Sequence, residues 1–143
     1  MATEIERQCE TIESCYEFML SYAARGLASD DGSDAGRQVR EHLTRAAEAM
    51  RGLELSCAEA LEQEQLAPAE KYEAFFEVLK RDAEGAIAAV EMVLAQAAIG
   101  SQLIDNLNAS IHLRALLADL FLVTEILDTR HTHAATGGVA GAR

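Results

Sequence analysis

The sequence predicts an all-α protein: an antiparallel up-down-up-down four-helix bundle that pairs with a second copy through its last helix. Three observations carry that expectation. Apolar residues recur at spacings of three and four along four long segments. Ala, Leu and Glu are abundant, which favours helix, and there are no runs of Val, Ile, Thr and Tyr to mark strands. The chain of 143 residues holds a single proline, so few points break a helix outright.

The first segment runs from about Thr3 to Leu27. Ile5, Cys9, Ile12, Tyr16, Met19, Ala23 and Leu27 form one face, and Glu6, Glu10, Glu13 and Glu17 form a carboxylate strip beside it. The stretch RGLASDDGSDAG then reads as a solvated loop, with Ser33 or Asp34 as the cap of the next helix. The second segment, about Asp34 to Gln65, carries Val39, Leu43, Ala46, Met50, Leu53, Cys57 and Leu61 at near-heptad spacing. Pro68 suits the first turn of the third segment, which continues to about Ala97. That segment is expected to bury Tyr72, Phe75, Phe76, Leu79, Ala83, Ala86, Val90, Val93 and Leu94.

The fourth segment, about Ser101 to Asp128, starts after Gly100 as a helix stop, with Ser101 as its cap. Ser101, Asp105, Asn108, His112 and Asp119 share a narrow strip, and apolar residues fill an arc of about 200°, wider than a surface helix needs. Three companions in one subunit would leave part of that arc wet. Leu113, Leu117, Leu120, Phe121 and Leu127 are therefore the expected interface with a second copy, and His112 and Arg114 give it specificity. Residues 1–128 form the bundle on this reading, and 129–143, which lose the periodicity, form a flexible C-terminal tail.

Arg114 projects from the middle of the apolar arc. A buried lone guanidinium costs several kcal/mol and does not deprotonate, so a carboxylate partner or a wet interface is required. Level arithmetic in an antiparallel bundle sets Glu13 and Glu17 at the height of Arg114, with Tyr16 between them. An internal polar cluster of Glu13, Tyr16, Glu17, His112 and Arg114 is one expectation; an Arg114 that reaches a dimer rim or solvent is the other.

Charge and composition exclude several functions. A net charge of −12, with 12 basic against 24 acidic residues and no basic cluster, argues against nucleic acid and anionic membrane as partners. The start MATEIERQCE lacks a basic and then apolar leader pattern, and Arg114 and Asp119 break the longest apolar run. Together with three cysteines and no C-x-x-C pair, this predicts a cytoplasmic protein with reduced thiols.

A di-iron bundle would need Glu-x-x-His pairs, and the chain has none; Asp128-x-x-His131 comes nearest. Glu13 and Glu17 could share a metal with His112 or His42, Cys9 and Cys57 could form a two-thiol site, and His131-x-His133 offers two ligands without a third. No strained nucleophile motif or glycine-rich phosphate loop is present. The layout resembles small bacterial helical proteins such as secretion and flagellar chaperones, in architecture and not in any residue motif. The expectation is a non-catalytic adaptor, chaperone-like or assembly factor that binds itself and another protein and uses no cofactor. The alternative is a metal- or small-ligand-binding bundle built on the internal Glu, His and Tyr residues.

Overall fold

The computed structural model describes the backbone of residues 2–141 and the side chains of residues 2–133. It is all-helical, with six helices among the described residues: α1 (Glu4–Ala24), α2 (Asp34–Arg51), α3 (Leu53–Gln63), α4 (Ala69–Leu94), α5 (Ser101–Ala109) and α6 (Ile111–Gly141). Two of the four expected helices are thus broken, one at Gly52 and one at Ser110. At Gly52 the amide of Gln8 crosses so close that an added Cβ would lie 2.6 Å from Gln8 Nε2. At Ser110 the backbone turns extended (ψ 147°), and the hydroxyl donates to Leu107 O at 2.6 Å, competing with the helix ladder. The expected flexible tail also differs: α6 continues to Gly141, while 142–143 lie outside the described residues.

Caps mark most starts. Thr3 accepts from Glu6 N–H and donates to its carboxylate, a reciprocal arrangement at the N-terminus of α1. Ser33 caps α2 by accepting from Gly36 N–H. Ser101, expected as a cap, is instead the first residue of α5 and uses its hydroxyl elsewhere. Helix α1 packs on α2, α5 and α6; α4 packs on α2, α3 and α6. The core is built from the stripes expected of the sequence: Ile5, Ile12 and Met19, then Val39, Leu43 and Met50, then Leu79, Ala86 and Val90 are all buried.

One end is tied by a polar knot between the α1–α2 and α4–α5 connections. Asp30, far from solvated, is buried, and pairs with Arg40 and accepts from Ile99 N–H at 2.7 Å. Arg40 also donates to the carbonyls of Leu94 (3.3 Å) and Gln96 (3.0 Å), which caps the C-terminus of α4. Tyr22 hydroxyl donates to Ile99 O at 2.7 Å, and Ser101 hydroxyl donates to Tyr22 O at 2.6 Å while accepting from Leu27 N–H at 2.9 Å. The chain passes so tightly here that a Cβ at Gly36 would fall 1.8 Å from Asp30 O. At the other end Arg130 donates to Glu64 O (3.0 Å) and His131 contacts the Glu64 carboxylate (2.6 Å), which anchors the stretch expected to fray.

The hydrogen bond from Arg40, with help from Ile99 N–H, holds the Asp30 carboxyl down to about 2, against the opposing effect of burial. A depressed carboxyl stabilises the fold above its ordinary value of 3.8, and that contribution is lost as the pH falls from there towards 2. Asp30→Asn is expected to cost about 2 kcal/mol in urea unfolding at pH 7. The gap from the parent chain should close as the pH is lowered from 4 to 2.

Candidate functional site

Helix α6 divides into two faces. Leu113, Leu116, Leu117, Leu120, Val123 and Leu127 are buried against α1, α4 and α5. Ile111, Arg114, Ala118, Phe121, Leu122, Glu125, Ile126 and Asp128 are exposed. Four of the residues expected at an intersubunit contact, Leu113, Leu117, Leu120 and Leu127, therefore belong to the core of the subunit itself; Phe121 alone stays exposed, at 45%. The break at Ser110 explains the correction. It lets α5 and α6 bury separate stripes, whereas one continuous helix spreads both over a single wide arc.

Arg114 is corrected with them. It lies on the outer face and forms no ion pair with Glu13, Glu17 or any other described residue. The internal Arg114 cluster is thus not formed: Glu17 points to solvent, and Glu13 and Tyr16 are only half-buried. His112 is exposed too, with its imidazole lying over Gly85 of α4, where an added Cβ would come within 3.2 Å of Nδ1.

Two grooves flank the outer face. On the α4 side, Tyr72, Phe75, Phe76, Leu122, Ile126 and Pro68 line an apolar cavity of about 360 Å³ with Lys71 at its edge. Tyr72, Phe75 and Phe76, expected in the core, are half-buried and form this wall instead. On the α1 side, Glu6, Glu10 and Glu13 face Glu125 and Asp128 across a groove of about 300 Å³, with Cys9, Phe121 and Thr124 also lining it. Glu6 and Glu125 each accept one threonine hydroxyl, from Thr3 and Thr129. None of the five carboxylates forms an ion pair among the described residues.

Between α4 and α6 lies a pair that sequence reasoning missed. Asp119 faces Asp82, and one oxygen of Asp119 is buried without a hydrogen-bond partner. Burial, then the hydrogen bond and charge of Asp82, push the Asp119 carboxyl up to about 7. Asp119 was visible in the sequence only as part of a polar strip. Its partner on α4 could not be read without the register of the two helices.

Little of this is reactive chemistry. Burial pushes the Cys15 and Cys57 thiols up to about 12, and burial together with Glu13, Glu10 and Glu6 pushes Cys9 up to about 11, so none is poised as a nucleophile. No group of three or more His, Cys, Asp or Glu side chains is arranged to hold a metal among the described residues. No described helix is long and apolar enough to cross a membrane.

No family model, curated protein or solved structure matches the chain. Its function therefore rests on geometry, not analogy.

The Asp82–Asp119 contact has a measurable signature. The folded chain keeps a proton that the unfolded chain releases near 3.8, so stability falls as pH rises from about 4 to about 7 and is level above that. Asp119→Asn removes the repulsion. It is expected to raise the melting temperature at pH 8 by about 3 °C for each kcal/mol recovered, and to flatten the melting profile between pH 4 and 7.

Proposed function

We propose that this chain is a non-catalytic interaction protein, an adaptor or assembly factor, that self-associates through the outer face of α6. In this reading the helices act as four antiparallel rods, α1, α2–α3, α4 and α5–α6, and the pairing of α1 with α2 and of α4 with α6 supports that arrangement. One observation carries the function: Ile111, Phe121, Leu122 and Ile126 stand exposed along one side of one helix and run into the aromatic groove beside it. Scattered exposed apolar residues are ordinary, but several on one helix beside an open apolar groove favour an interaction surface. The aromatic wall is suited to an apolar side chain of a partner protein, since rigid rings at a half-open groove are typical anchoring points.

The alternative of a metal or small-ligand binder would use Glu13, Tyr16, Glu17 and His112. Glu13, Tyr16 and Glu17 share a face of α1, but the His112 ring lies against Gly85 of α4, and no metal-holding group of three forms among the described residues, so no observation favours it.

Sedimentation of the full chain should show a two-chain species at micromolar concentration. Leu122→Asp is expected to leave helical content unchanged and to yield single chains. Leu117→Asp would place a charge in the core and cost about 3 kcal/mol or more of stability, so it reports on folding rather than association. A parent chain that remains single at all concentrations overturns the self-association reading.

A further inference from the structure

We infer that the dimer seat is an antiparallel α6–α6 contact in which Arg114 of each copy enters the acidic groove of the other beside Asp128. This rests on the self-association proposed for the outer face of α6 and specifies its geometry.

The outer face of α6 carries its own repeat. Ile111, Ala115, Ala118, Leu122 and Thr129 follow steps of three, four and seven, and at 100° per residue they fall within about 60° of one another. This is the seam of a two-stranded helix pair, separate from the stripe that fills the core. Ile111 is 74% exposed and Leu122 52% exposed, so the seam has no cover within the subunit.

The order of residues along the seam selects the direction of the second helix. In an antiparallel pair with the two-fold axis near Leu120, Leu122 of one copy seats on Ala118 of the other, and Ile111 seats on Thr129, a large residue against a smaller one each time. Arg114, Phe121 and Asp128 stand seven residues apart along one flank. Antiparallel packing brings like flanks together, so Arg114 meets Asp128 of the second copy twice and the two Phe121 rings meet at the axis. A parallel pair would instead join unlike flanks, so the Arg114 and Asp128 flank of one copy would not meet that of the other and this match would be lost.

Charge complementarity identifies the occupant. The acidic groove holds five carboxylates and no cation, and Arg114 is exposed with no ion pair among the described residues. A basic helix from another protein would satisfy the groove but would face Arg114 on the same flank. A second copy satisfies both.

The test is a charge exchange read by sedimentation of the full chain. Arg114→Glu and Asp128→Arg each put two like-charge contacts across the axis, and each is expected to weaken dimerisation about tenfold or more. An equimolar mixture of the two variants restores one Glu–Arg and one Arg–Asp contact, so it should dimerise as tightly as the parent chain. Circular dichroism of each variant controls for folding. If the mixture fails to recover while Leu122→Asp still dissociates the parent, the antiparallel pairing is wrong and self-association stands. If the single variants dimerise as tightly as the parent, the pairing is likewise overturned. A parent chain that never dimerises overturns both.

Discussion

The architecture depends on the tie between Asp30 and Arg40. A carboxylate in the first connection is buried, and it survives there because an arginine and the Ile99 amide satisfy it. The same guanidinium reaches the last carbonyls of α4, which would otherwise end without partners. Three separate parts of the chain thus share one charge pair. The adjacent Ser101–Tyr22–Leu27 bonds fix where α5 starts against α1, and α5 in turn delivers α6.

Within that frame α4 and α6 meet through small residues. Gly85 admits the His112 ring, and Ala83 and Ala86 are buried nearby on α4. Between the same two helices Asp119 faces Asp82 with one carboxylate oxygen buried and unpartnered, so the fold tolerates two acids in contact. The aromatic groove lies towards the N-terminus of α4, where Tyr72, Phe75 and Phe76 stand in place of small residues and line it. Residue size along one helix therefore decides which part of the contact is closed and which part receives another side chain.

Much of the helical content was legible because three- and four-residue spacing is a local signal. The stripes of α1, α2 and most of α4 followed directly, as did the cap at Ser33. The breaks did not. Gly52 is where Gln8, distant in sequence, packs against the backbone, and Ser110 looks like any small polar residue inside an amphipathic run. Missing the second break joined two buried stripes into one arc and put Arg114 in its middle. The loop containing Asp30 misled for the opposite reason: aspartate, glycine and serine suggest solvent, and only the arginine from α2 makes burial tolerable. The outer-face residues Phe121 and Arg114 stand out in the sequence, but their positions relative to core and solvent required the phase that the Ser110 step resets.

The three cysteines have a consequence beyond packing. All sit inside the helical core as free thiols, and their environments hold them in the protonated form. Alkylating reagents act on accessible thiolates, so the native cysteines react slowly with them. A single cysteine introduced on the surface would therefore react first and serve as a handle for a fluorophore or spin label.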